Sequence, residues 1–223
     1  MVDPVSLEIF NNIFSSISEE MNVTLIRTAY SPNIKERRDC SCAVFDGRGR
    51  MVVQAAHIPV HLGSMPASVL KAIEAVTFEP GDIVILNDPY LGGTHLPDIT
   101  LVSPVYADEK EERPFGFVAS RAHHADVGGM SPGSMPMSSE VYQEGLIIPP
   151  LKLAKGGKIQ EDLLTLICRN VRTPEERRGD LSAQIAANSV GCRRLQETIG
   201  KYGAPSLKEH MEALLAYSEG MVR

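Results

Sequence analysis

The chain has 223 residues, 43% hydrophobic and 22% charged, the balance of a globular protein with a real core to bury. A formal charge of -6, with a basic cluster only at Lys35-Glu36-Arg37-Arg38, excludes the clustered positive surface that nucleic-acid binding needs. No apolar run approaches a membrane span and Met1-Val2-Asp3-Pro4 does not open a signal peptide, so a soluble, cytoplasmic protein is expected.

Asp3-Pro4 reads as an N-cap followed by proline at the first helical position. Leu7, Phe10, Phe14, Ile17, Met21 and Leu25 then recur at spacings of three and four, which predicts a long helix with one apolar face, ending before Ser31-Pro32. Residues 42–45 and 51–54 flank Asp46-Gly47-Arg48-Gly49 and read as a hairpin. His57 and His61 bracket Ile58-Pro59-Val60, and a helix is predicted from Gly63-Ser64-Met65-Pro66 to Val76. Strands follow over 83–86, 99–105 and 115–122, and residues 107–113 form a charged surface turn. Residues 128–136, rich in Gly, Ser and Pro, read as irregular, and Ile147 to Leu151 as extended.

The last third reads as helical. Thr173-Pro174-Glu175-Glu176 has the form of a capping box opening a helix with Leu181, Ile185, Asn188, Cys192, Leu195 and Ile199 on one stripe. Asp180, Gln184 and Asn188 make a polar row beside that stripe, readable as a solvated face, a site wall or a subunit contact. Ser206 is read as the cap of a final helix running to Arg223. The four cysteines, including Cys40-x-Cys42, lack zinc-finger spacing and read as free thiols. These elements predict one mixed α/β (α+β) domain over residues 1–223, its β-rich middle flanked by long helices from both ends. The apolar stripes of the first and the last two helices predict a homo-oligomer.

The densest chemistry lies between two of the strands, in Asn87-Asp88-Pro89-Tyr90-Leu91-Gly92-Gly93-Thr94-His95-Leu96-Pro97-Asp98. Pro97 pushes Leu96 out of the helical region, so His95 and Asp98 belong to a bend. A tight bend brings imidazole and carboxylate together; an extended one leaves them apart in a solvated loop. Three stretches offer ligand-type residues: Asp39, then His95 and Asp98, then His123, His124 and Asp126. Together they suit Mn²⁺, Fe²⁺ or Zn²⁺. If the strand stays extended, His123 and His124 point to opposite sides, so one of the two is a ligand, and Arg121 shares the His123 face. No P-loop, dinucleotide fingerprint, His-Glu-x-x-His or nucleophile elbow occurs.

The long loop motif, followed by Arg121-Ala122-His123-His124-Ala125-Asp126-Val127-Gly128-Gly129, resembles the hydantoinase B/oxoprolinase family. So do Asp3-Pro4-Val5-x-Leu7-Glu8, Arg37-x-Asp39-Cys40-Ser41, His61-Leu62-Gly63-Ser64-Met65 and Asn188-x-x-Gly191. The family includes the B subunits of ATP-dependent N-methylhydantoinases, the matching half of 5-oxoprolinases and an acetone carboxylase subunit. Its members are roughly twice as long, so this chain corresponds to their N-terminal half.

The resemblance implies a metal-bearing subunit of an ATP-dependent cyclic amidohydrolase that opens a hydantoin, 5-oxoproline or related lactam. ATP is bound by a hydantoinase A-like ATPase partner that activates the substrate. The implied metal ligands, manganese or iron being the usual ions, are Asp39, His95, Asp98 and His123. Metal-activated water is then the nucleophile, with Asp126 or His124 as base and Arg121 steadying the developing charge. The other readings are a subunit of an acetone-carboxylase-like enzyme and a non-catalytic assembly module whose His and Asp residues are structural.

Overall fold

A computed structural model of the chain describes residues 2–56, 60–108, 110–133 and 136–223. His57, Ser134 and Met135, which the sequence reading touches, lie outside them. Helix α1 (Pro4–Thr28) starts as predicted: Asp3 accepts hydrogen bonds from the backbone N–H of Val5 and Ser6, with Pro4 in the first turn. Helix α2 (Pro32–Lys35) adds a single turn that the sequence reading left as a break. Strands β1 (Cys40–Asp46) and β2 (Met51–Ala56) form the expected hairpin.

Helix α3 spans Val60–Ala75, not 63–76. Pro66 therefore lies inside the helix instead of opening it, and the extra turn takes in His61. Strands β3 (Ile83–Leu86), β4 (Asp98–Val105) and β5 (Gly116–His123) follow the prediction to within a residue or two. Strands β6 (Leu151–Lys155) and β7 (Lys158–Ile159), joined through Gly156-Gly157, were read only as an extended stretch ending at Leu151. Their signal was present, since a Gly-Gly pair between short alternating runs suits a two-residue hairpin loop.

Helices α4 (Glu161–Arg169), α5 (Pro174–Tyr202) and α6 (Ala204–Val222) complete the chain. Two predicted caps are not made. Thr173 precedes α5 but makes no side-chain cap, and Glu176 instead pairs with Arg177. Helix α6 begins two residues before Ser206, because Gly203, at φ 84°, lets α5 turn directly into it.

The strands form one seven-stranded antiparallel sheet in the order β2-β1-β5-β4-β3-β6-β7. With helices from both ends packed on it, this is the mixed α/β fold that the sequence predicts. Alternation along the strands divides the sheet into two faces. Cys40, Cys42 and Val44 of β1 and Val118 and Ala122 of β5 face α1, α5 and α6. Ala43, Phe45, Phe117, Ala119 and Val102 face Met65, Val69 and Ala72 of α3. The apolar stripes of the end helices are spent inside this chain: Phe10, Phe14, Ile17, Met21 and Leu25 share a core with Leu195, Ile199, Leu207 and Met211. No helix among the described residues is long and apolar enough to cross a membrane.

The polar row on α5 is buried, not solvated. Asp180, Gln184 and Asn188 are each 0% exposed. The Gln184 amide donates to the carbonyls of Ile99 and Ser120, and Asn188 donates to Leu101 O and Ser103 Oγ. A solvated face would leave these sheet groups without partners from the helix. The cysteines are free, as expected, and burial pushes the Cys40 and Cys192 thiols up to about 12, which makes them unreactive at neutral pH.

Gly191 marks the closest approach of α5 to α1. A Cβ built there meets the sulfur of the fully buried Met21 at 2.4 Å. Gly191→Ala is therefore expected to destabilise the fold by about 1–3 kcal/mol through overpacking, offset in part by alanine's helix preference. A shift of the urea midpoint toward lower concentration checks it; an unchanged midpoint means Met21 moves aside without cost.

Candidate functional site

The site lies on the α3 face, at the end of the sheet where β1 and β4 begin and β5 ends. Antiparallel register sets Asp98 opposite His123 and Cys40 opposite Ala122. Asp39 precedes β1 and its carbonyl accepts from the His123 N–H, so three remote segments meet at one edge.

The loop between β3 and β4 is shaped by its own sequence. Asn87 donates to the carbonyls of Leu96 and Leu146 and accepts from the Ile148 N–H, closing the loop base. Asp88 caps the 3-10 turn Pro89–Leu91 by accepting from the Tyr90 N–H. Gly92, at φ 88°, packs against the Ala67 backbone of α3 so closely that a Cβ would lie 2.6 Å from it. The chain then bends tightly: the Asp98 N–H donates to His95 O, and the Thr94 hydroxyl donates to Asp98 Oδ2 at 2.7 Å. Of the two bends open to the sequence, this is the tight one.

As a result His95 Nδ1 lies 3.3 Å from Asp98 Oδ2, and His95 Nε2 lies 3.1 Å from His123 Nδ1. His123 Nδ1 is 3.1 Å from Asp98 Oδ1 and 3.9 Å from Asp39 Oδ2. His95, Asp98 and His123 each offer a donor atom, all within 4.8 Å of one another. Asp98 and His123 form the floor, with side chains 1% and 10% exposed; His95 and Asp39, at 33% and 25%, form the rim.

Burial alone would raise the Asp98 carboxyl. His123 and His61 beside it, then His95 and the Thr94 hydroxyl, outweigh burial and hold it well below the usual carboxylate range. Burial lowers the pKa of His95, against the pull of Asp98. The pair is thus an ionised carboxylate beside an imidazole kept neutral, a mixed donor set with free lone pairs.

Arg121, also fully buried, lies one alternation below His123 on the same face. It donates to Thr100 Oγ1 at 2.8 Å, Ser68 Oγ at 2.6 Å and the Ser64 hydroxyl. Burial lowers its pKa, and the Asp98 charge opposes this. His124 and Asp126 are not brought to the cluster. His124 is turned to the other face, where its Nε2 lies 2.9 Å from Gln184 Oε1. Asp126 accepts from the N–H groups of Gly128 and Arg172 and pairs with the Arg172 side chain at 3.1 Å.

His61, which the site reading passed over, is brought in by the extra turn of α3. Its Nε2 lies 3.6 Å from Asp98 Oδ2 and 3.7 Å from Asp39 Oδ1. The signal for it lay in the motif His61-Leu62-Gly63-Ser64-Met65; placing the helix start at 63 hid its direction.

The burial of His124, and next the nearby Arg177, push its pKa down to about 4. Between that value and about 6.5 the unfolded chain binds a proton that the folded state refuses. Stability is therefore expected to fall as pH falls through this window, by up to about 1.4 kcal/mol per pH unit from this group. In metal-free protein, His124→Asn should flatten the dependence of the urea midpoint between pH 6.5 and 4.5; equal slopes in both proteins would refute the assignment.

Comparison with known proteins agrees with the motif reading. Residues 3–223 match the family described as hydantoinase B/oxoprolinase. An uncharacterised protein of Methanocaldococcus jannaschii is 46% identical over 98% of this chain and 39% of its own length. A 5-oxoprolinase of Dictyostelium discoideum is 43% identical over 100% of this chain and 18% of its own. The crystal structure of an ATP-dependent caprolactamase from Pseudomonas jessenii superposes with a TM-score of 0.84 at 32% identity, covering 96% of this chain and 37% of that one. The chain thus spans under two-fifths of the length of each of these three relatives. With a match along nearly all of its residues and the motif residues gathered at one sheet edge, the chain belongs to the hydantoinase B/oxoprolinase family.

Proposed function

We propose that the protein is the metal-bearing part of an ATP-dependent enzyme that opens a cyclic amide such as a hydantoin, 5-oxoproline or a related lactam. The observation that carries this reading is the convergence of Asp39, His95, Asp98 and His123 from three separated stretches. Mixed imidazole and carboxylate donors around an ionised, buried Asp98 fit a divalent ion of the Mn²⁺, Fe²⁺ or Zn²⁺ class. Such an ion, when bound, supplies positive charge and makes water acidic enough to react near neutral pH.

The chain's own residues position and orient. Asp98 and His123 hold the floor, while the solvent-reached Asp39 and His95 mark the side from which a ring approaches. Arg121 supports Asp98 electrostatically from below, and its three hydroxyl partners keep it from swinging out as a substrate clamp. His124 and Asp126 tie the end of β5 and the following loop to the α5 side, and general-base chemistry by either requires it to turn toward the cluster.

Amide resonance makes ring opening slow, and phosphorylation of the amide oxygen creates a leaving group on an imidate-like carbon. We assign that step to a hydantoinase A-like ATPase partner, since the chain's sequence has no P-loop. The names of two relatives, 5-oxoprolinase and ATP-dependent caprolactamase, support a cyclic amide as substrate and ATP as co-substrate.

The test is a ring-opening assay of the protein with its partner ATPase on hydantoin, 5-oxoproline and caprolactam. Chelation should abolish ATP-dependent opening, and returning the metal should restore it. Turnover that survives complete metal removal, or a purified protein that takes up no divalent metal, would overturn the proposal.

A further inference from the structure

His61 is 0% exposed in the first turn of α3. Its Nδ1 lies 2.9 Å from the Ser41 hydroxyl on β1, which fixes the plane of the ring. The other end of the ring is aimed at two carboxylates, Asp39 Oδ1 at 3.7 Å and Asp98 Oδ2 at 3.6 Å. Those separations are too long for hydrogen bonds, and Nε2 has no hydrogen-bond partner. A buried polar atom left so costs about 1–3 kcal/mol, and it stands between two acids that repel each other. Packing alone does not account for this arrangement. An ion does: donors each about 2.1 Å from one small cation and about 120° apart stand roughly 3.6 Å from each other.

We infer that His61 Nε2 is a further metal-ligating atom, placed between Asp39 and Asp98, so that the centre has three imidazole donors and not two. Ser41 Oγ accepts the Nδ1 proton, which leaves the lone pair on Nε2. This is how the hydrogen bond on one ring nitrogen fixes the tautomer of a metal-bound histidine. Three imidazoles and two carboxylates exceed a four-coordinate zinc site. They suit a six-coordinate ion of the Mn²⁺ or Fe²⁺ type with one position open to a small ligand. The inference rests on the metal reading proposed above.

The experiment is X-ray absorption spectroscopy of the Mn²⁺-loaded protein, with metal affinity measured by chelator competition. Three imidazoles per ion are expected in the natural protein and two in His61→Ala, with affinity reduced at least about tenfold. Ser41→Ala should keep three imidazoles, with a smaller loss of affinity. Two imidazoles in the natural protein, or an unchanged count in His61→Ala, overturns the assignment of His61 while leaving the metal reading standing. Failure to bind Mn²⁺, Fe²⁺ or Zn²⁺ at all overturns both. Because the natural protein's own count decides, the inference stays testable even if the His61 variant does not fold.

Discussion

Asp98→Asn is expected to reduce divalent-metal affinity by about 100-fold or more, and to remove metal-dependent activity with it. Asp98 is the one residue approached by all three histidines of the cluster: His123 at 3.1 Å, His95 at 3.3 Å and His61 at 3.6 Å. Asparagine keeps the shape and one acceptor but removes the charge around which those imidazoles are arranged. The fold should survive, because backbone pairing of Asp98 with His123 does not use the side chain. Chelator competition with a circular dichroism control measures it. Near-natural affinity in a folded variant would show that the ion, if bound, is held elsewhere.

The largest stability effect is expected at the far face of the sheet. Asp180→Ala should destabilise the protein by about 3–5 kcal/mol. Asp180 is 0% exposed, pairs with the equally buried Arg177 at 3.0 Å, and accepts from the N–H groups of Tyr30 and Ser31 at 2.8 and 3.0 Å. Truncation leaves a buried guanidinium with only Glu176 beside it and strips two N–H groups of their acceptor. Asp180→Asn, which keeps an acceptor, should cost less. Urea denaturation of both variants separates charge from hydrogen bonding; two small and equal losses would show that Arg177 and the turn at Tyr30 re-pair with water.

The position of Asp180 also illustrates why part of this fold was hidden in the sequence. A row at i, i+4 on a helix reads the same whether it meets water or a sheet, and only the packing of α5 on β4 and β5 decides. The Thr173 box failed for a related reason: Arg177 lies close enough to draw off the Glu176 carboxylate. His61 was missed because Pro66 was taken as a helix start, although the helix tolerates it in its interior.

By itself the sequence determined what local physics controls. The stripe from Leu7 to Leu25 specified α1, alternation and turn residues specified β1 to β5, and Pro97 forced the bend that sets His95 beside Asp98. Strand alternation likewise divided His123 from His124. Only the tertiary structure decided which remote segments meet. Antiparallel register across β1, β5 and β4 brings Asp39, His123 and Asp98 to one edge, and the packing of α3 on that face aims His61 at them. Register and helix docking are set by burial of whole faces summed over many residues, so no single stretch of the chain carries them.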